Sequence, residues 1–391
     1  MEHTATPPTC EAVAVPALAE YLAQIPEYRQ ARGTQHPLLA LLLLVCVAML
    51  CGARSQSAIA DWGRHHGPPW LRRLGFTKDR APSQPTFSRL FQAVPCQTVE
   101  AVLGRWAEQA LRCCPPSTQA LEGVAVDGKT LRGSKRQGAA DAHLLSAFSH
   151  RLGVVLGQTG VPDKTNEIGA AGAFLLSLVL AGRVVTGDAL LTQREIAQTI
   201  LDSGGDYLLV VKENQPTLHA DLVAAFAPDA DDTGLVETAC DVSQHGDRVE
   251  CRRLTASTAL VGSSDWPGLQ QALQVERRVF HKGTGEVLRA ETAYAVTSAR
   301  PRRATPPQLL ALWRGHWSVE NQRHDIRDVA FDEDRATVRA GRAPQVMAAF
   351  RNAAIGVIRR LGTTKITATC RQFAAQPLAA FLALGARPDL E

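Results

Sequence analysis

Residues 123–134 read GVAVDGKTLRGS, and Gly123, Gly128, Lys129 and Thr130 match the phosphate-loop pattern G-x-x-x-x-G-K-[ST]. A phosphate loop follows a buried strand and opens a helix whose amides face the anion. Here the order is different. The strand-like run Val124-Ala125-Val126 lies inside the match, and the preceding Ser117-Thr-Gln-Ala-Leu-Glu122 makes a poor buried strand. After Thr130, Leu131-Arg-Gly-Ser-Lys-Arg136 puts a glycine and a basic turn where the helix should begin. The stretch therefore reads as a short apolar strand ending in Asp127 and followed by a basic turn.

Outward from Asp127, short strand-like runs recur at His143 to Phe148, Val154 to Thr159, Arg183 to Thr186 and Tyr207 to Val211, with helical stretches at Ile168 to Leu180 and Thr192 to Leu201. Three strands, then helix, strand, helix and strand, predict a mixed α/β sheet in which an antiparallel meander leads into crossover units. That is the order of a ribonuclease H-like fold. Residues 235–300 look like a β-rich insertion, with strands expected at Arg248 to Leu254, Gln274 to Phe280 and Glu291 to Val296. From Pro306 onward the chain is mostly helical; Thr305 caps one helix that is expected to run to about Val329.

Residues 1–15 are rich in Thr, Pro and Ala and are expected to be disordered, whereas 16–112 read as a helical N-terminal domain. Its connections collect Arg29, Arg32, Arg54, Arg64, Arg72, Arg73, Lys78, Arg80 and Arg89. Such a module suits DNA, and an ordinary helical domain with a solvated basic face suits the same residues. Residues 118–391 form the expected second domain.

A chain of 391 residues that is 45% hydrophobic exceeds the usual size of one core. Its formal charge of +4, from 42 basic and 38 acidic residues, does not by itself demand nucleic acid. Nine cysteines without a C-x-x-C spacing point to a reduced, cytoplasmic protein. The apolar run Leu38 to Cys51 is short of the roughly 18–20 residues that cross a bilayer, and it follows Pro37 as a buried helix would. No membrane association is expected.

Asp188 sits as Asp127 does, just past the apolar run Arg183 to Gly187. Two carboxylates at the C-terminal ends of strands in one sheet can converge on a metal, although either alone suits a turn or a helix cap. A third candidate lies in LWRGHWSVENQRHDIRDVAFDED, residues 312–334. On a helix, Leu312, Val319 and Ile326 form a core seam, and Trp313, His316, Glu320, His324 and Arg327 form a second stripe. His316, Glu320 and His324 also invite a zinc reading, but the H-E-x-x-H arrangement is lacking and one helix would need an outside ligand.

These residues belong to an ordered series: V-D-G-K-T-x-R-G-S around Asp127, K-x-N-E-I at Lys164 to Ile168, D-A-x-x-x-Q-x-x-I-A at Asp188 to Ala197, G-G-D-Y-x-x-x-V-K-x-N-Q-x-T-L at Gly204 to Leu218, and H-W-x-V-E-N-x-x-H-x-x-x-D-V-x-F-x-E-D at His316 to Asp334. The series resembles the bacterial insertion-sequence transposases of the DDE type, in the branch that includes the H-repeat-associated proteins. The resemblance implies a ribonuclease H-like catalytic core, preceded by the helical domain and interrupted by the β-rich insertion. Its three acids would be Asp127, Asp188 and Glu320, holding two magnesium ions, with manganese as a substitute. The superfamily's Y-x2-R-x3-E-x6-K signature falls on Trp313, His316, Glu320 and Arg327, so three of its four positions depart.

The implied activity is metal-dependent cleavage of DNA at element ends and strand transfer into target DNA. The partner would be double-stranded DNA, held by a homodimer or larger assembly that associates with the nucleoid. Lys129, Arg132, Lys135, Arg136, Lys212, His316, His324 and Arg327 would hold its backbone, and Asn214 and Gln215 would touch bases or sugars. The rival readings are a nuclease of similar core that cuts without joining, a domesticated DNA-binding protein, and a helical regulator whose acids are structural.

Overall fold

The computed structural model describes residues 17–32, 34–114, 121–134, 142–161, 167–227, 234–319 and 325–386. Five helices come first: α1 (Leu18–Leu22), α2 (Leu38–Leu50), α3 (Gln56–Arg73), α4 (Gln84–Ala93) and α5 (Cys96–Arg112). Then come β1 (Gly123–Leu131), β2 (Ala142–Ser149), β3 (Val155–Val161), α6 (Glu167–Leu176), β4 (Val184–Gly187), α7 (Arg194–Asp202), β5 (Asp206–Val211) and α8 (Pro216–Ala225). The long strands β6 (Val236–His245), β7 (Arg248–Ser257), β8 (Gln271–His281) and β9 (Val287–Thr297) precede α9 (Pro306–Val319), α10 (Asp325–Phe331), α11 (Ala343–Arg360), α12 (Ile366–Ala375) and α13 (Pro377–Ala383). Two compact units divide this chain: Met1–Pro115 with Gly128–Lys164 and Glu320–Glu391, and Pro116–Asp127 with Thr165–Val319.

In the first unit, α2 is apolar all round, LLALLLLVCVAML, and twelve of its thirteen residues are buried. A helix without a polar face belongs inside a protein, and this one is too short to span a bilayer. Among the described residues no helix is long and apolar enough to cross a membrane. The helix α3 is kinked where Gly67 takes a φ of 68° ahead of Pro68 and Pro69. The helix α11 is buried along nearly its whole length; its Ala348 meets Leu131 and Leu144, and its Phe350 ring lies 6.0 Å from that of Phe91. A buried polar seam joins α5, β3 and α11. Glu100 accepts from Gln158 and Gln345, each at 2.8 Å, and Asn352 donates to Gln158 at 2.8 Å. Burial holds the Glu100 carboxyl above its usual range against these donors.

In the second unit the strand order is β1-β4-β5-β9-β8-β7-β6. β1 pairs parallel with β4, and β4 parallel with β5, across the crossover helix α7; the remaining pairs are antiparallel. In the first unit the order is β3-β2-β1, with β2 and β3 an antiparallel hairpin. The expected insertion is thus an extension of the sheet, joined to it through β9 on β5. Against it, Leu309, Leu310, Leu312 and Trp313 of α9 share one apolar cluster with Val184, Leu208, Val210, Leu254 and Leu273. The side chain of Gln308 accepts from the backbone and hydroxyl of Thr305, so the start of α9 is fixed where the sequence places it.

Two expectations change. The strand at Asp127 does not end there: β1 continues through Gly128-Lys129-Thr130 to Leu131, and the turn is a single 3-10 turn at Arg132–Ser134. The physical reason is that Lys129 has a buried carboxylate partner, so its charge need not sit in a turn. A strand at Gly128–Thr130 also excludes the phosphate loop, which needs a helix there. The helix expected to run from Pro306 to Val329 is described as α9 and α10, with 320–324 outside the described residues.

Candidate functional site

The parallel register of β1 and β4 matches Gly123 with Val184, Val124 with Val185 and Ala125 with Thr186. Asp127 lies two residues beyond the last paired position on β1, and Asp188 two residues beyond it on the β4 side, just after β4 ends at Gly187. Side chains alternate between faces along a strand, so the positions of Ala125 and Asp127 on β1 and of Thr186 on β4 fall on one face. That face meets α9. Thr186 Oγ1 lies 3.1 Å from Nδ1 of His316, and both side chains are buried. Burial pushes the His316 imidazole down to about 4, against a smaller upward pull from Thr186, so it is neutral near pH 7. Four residues after His316 comes Glu320, which lies outside the described residues.

Asp188 ends its strand in a turn. Its Oδ1 accepts from the amides of Leu190 at 3.0 Å and Leu191 at 3.3 Å, which fixes the carboxylate. Burial is the largest influence on this group and raises its pKa; the Glu167 charge adds to the rise, while the two amides and Lys212 oppose it. Glu167, buried in the first turn of α6, is the acid that spacing arguments passed over. Its signal was its place in the block K-x-N-E-I. Among the described residues no group of three or more His, Cys, Asp or Glu could hold a metal ion.

The loop after Asp188 is strapped to the end of β5. Thr192 donates to the carbonyl of Val210 at 2.5 Å, Asn214 donates to that of Ala189 at 2.6 Å, and Gln215 donates to that of Thr192 at 2.9 Å. Asn214 and Gln215, expected at bases or sugars, therefore have their side-chain amides engaged in holding this loop. Lys212 is exposed beside it.

Lys129 and Arg327 belong to a buried ion cluster of the first unit. Glu333, 2% exposed, has Arg327 at 3.0 Å, Arg351 at 3.1 Å and Lys129 at 3.4 Å, and Lys129 also reaches both oxygens of Asp328, at 3.0 and 2.9 Å. Burial alone would raise the Glu333 carboxyl, but Arg327, Arg351 and Lys129 outweigh it and hold the group below its usual range. Lys129 and Arg327 thus have internal partners and almost no exposure. Arg132 is largely exposed, 4.0 Å from Asp334. Lys135, Arg136 and His324 lie outside the described residues.

Two family models match the chain: the DDE transposase-associated domain over residues 19–107 and the transposase DDE domain over residues 118–356. "Putative transposase YncI" of Escherichia coli O157:H7 is 31% identical over 89% of this chain and 88% of its own length. "H repeat-associated putative transposase YhhI" of Escherichia coli K12 is 29% identical over 87% of this chain and 90% of its own length. Among solved structures, a piggyBac transposase synaptic complex with hairpin DNA aligns over 96% of this chain and 79% of its own, at 10% identity and a TM-score of 0.38, a likeness too slight to establish a common fold.

Proposed function

Because this chain belongs to the DDE-domain transposase family, we propose that it cuts DNA at the ends of a mobile element and joins the freed 3′ ends to target DNA, with Asp127, Asp188 and Glu320 as its catalytic acids. The observation that supports this reading is the parallel pairing of β1 with β4, each leading to one of the two aspartates, with His316, four residues before Glu320, bonded to Thr186 of β4. We read the strand order β3-β2-β1-β4-β5 as a ribonuclease H-like core and β6–β9 as its insertion. Residues 16–112 would be the DNA-binding domain and 118–391 the catalytic one.

The donor set fits magnesium or manganese: it is made of carboxylate oxygens, and Asp188 already carries a like charge beside it in Glu167 that a dication would relieve. Two such ions, when bound, would supply activation of the attacking oxygen and stabilisation of the leaving one. The protein's part is positioning. Leu190 and Leu191 hold one oxygen of Asp188, Asn214 and Gln215 hold the loop behind it, and neutral His316 anchors the end of α9 without adding a cation among the acids. Arg132 and Lys212, both exposed, would meet the DNA backbone, joined by Lys135, Arg136 and His324. Lys129, His316 and Arg327 would act through their buried partners. The assembly on DNA would be a dimer or larger.

The test is incubation of the full chain with magnesium and labelled duplexes carrying the inverted repeats that bound its gene. Nicked ends followed by joined products support the reading. Nicking without joining would leave a nuclease, and no magnesium-dependent product would defeat both.

A further inference from the structure

Away from the acids, the first unit has a cleft of about 580 Å³ built from three separate stretches: the connection from α1 to α2, the connection from α3 to α4, and α4 itself. Each contributes arginine: Arg29 and Arg32, then Arg80, then Arg89. Arg29 is already engaged, with Glu27 at 2.7 Å and the carbonyl of His36 at 2.9 Å, and serves as a wall. Arg32, Arg80 and Arg89 are exposed and have no ion pair or side-chain hydrogen bond among the described residues. Three unneutralised guanidiniums around one concavity repel one another. His36 lines the same cleft. It is 8% exposed, and its buried Nδ1 has no hydrogen-bond partner among the described residues.

We propose that this cleft seats backbone phosphates of duplex DNA on Arg32, Arg80 and Arg89, with His36 as a polar contact at its floor. The proposal rests on the reading of the chain as an enzyme that acts on DNA, and it gives that DNA a second hold outside the acids. Guanidinium forks match phosphate oxygens two at a time, which suits a charged backbone better than a neutral or cationic ligand. Burial, with the charges of Lys78, Arg29 and Arg80, holds the His36 imidazole below its usual range. The proposed contacts are to phosphates and carry no base information, so the hold is expected to be independent of sequence.

The experiment is fluorescence anisotropy of the full chain on two labelled duplexes of unrelated sequence, titrated between about 50 and 200 mM salt. The variant combines R32Q, R80Q and R89Q; all three side chains are exposed and unpaired, and its circular dichroism and melting are expected to match wild type. The slope of log affinity against log salt should become shallower by about one for each arginine, and affinity should fall at least about tenfold, equally on both duplexes. An unchanged slope, or a loss on one duplex alone, would overturn the proposal. So would complete displacement of the duplex by millimolar inorganic phosphate at constant ionic strength, which would mark a small-anion site. A wild-type chain that binds neither duplex would defeat the DNA reading itself, whereas wild-type binding with an unmoved variant defeats the cleft alone.

Discussion

Thr186, two residues before Asp188, is hydrogen-bonded at 3.1 Å to His316, four residues before Glu320. The contact ties the strand that leads to one acid to the helix that leads to another. Both partners are buried, so the bond has no competition from water.

Acid should weaken the protein through His316. Its folded pKa, about 4, is below the ordinary 6.5, so between those values the unfolded chain takes up a proton that the folded one refuses. The stability is fully present above about pH 6.5 and is lost as pH falls toward 4, to an extent on the order of 3 kcal/mol. Denaturant melts of wild type and His316→Gln across this window should converge at the acid end. Parallel curves would show that His316 does not titrate on unfolding.

Removing Glu333 should be costly. Three buried cations share its carboxylate, and Glu333→Gln leaves Lys129, Arg327 and Arg351 without that charge. A loss of about 3–5 kcal/mol is expected in urea unfolding. Adding Lys129→Met to Glu333→Gln should recover part of it, because the two residues act in one network. Simple additivity would mean that the cluster does not couple.

Asn214→Ala should separate positioning from folding. The side chain is exposed and holds the carbonyl of Ala189, next to Asp188. Stability should fall by about 1 kcal/mol. Turnover should fall between about ten- and a hundredfold with DNA affinity retained, as expected when a catalytic group is displaced slightly. Loss of affinity with normal turnover would instead make Asn214 a DNA contact.

Much of this was legible in the chain. Apolar runs ending in Asp127 and Asp188 marked the parallel strands, and Thr305-Pro306-Pro307 marked the start of α9. β6 was missed because it is an edge strand with mostly exposed residues: Ala239, Asp241 and Ser243 are its less exposed positions while Val236 and Val242 are exposed, so its apolar residues do not mark a buried face. Lys129 and Arg327 were assigned to DNA because charge alone does not reveal a buried partner. The carboxylate of Asp328 is 199 residues from Lys129, and only the fold brings them together. Asn214 and Gln215 suffer the same limit: an amide that braces a loop and one that touches a base look alike in a string of residues.

The central claim is that Asp127, Asp188 and Glu320 act as one metal-dependent site. It is tested most directly by magnesium-dependent cleavage and, in parallel, binding of the same end duplex by Asp127→Asn, Asp188→Asn and Glu320→Gln. Each variant should lose cleavage while its affinity stays within about threefold of wild type, because the acids are not backbone-phosphate contacts. Normal cleavage by any one of the three would contradict the account.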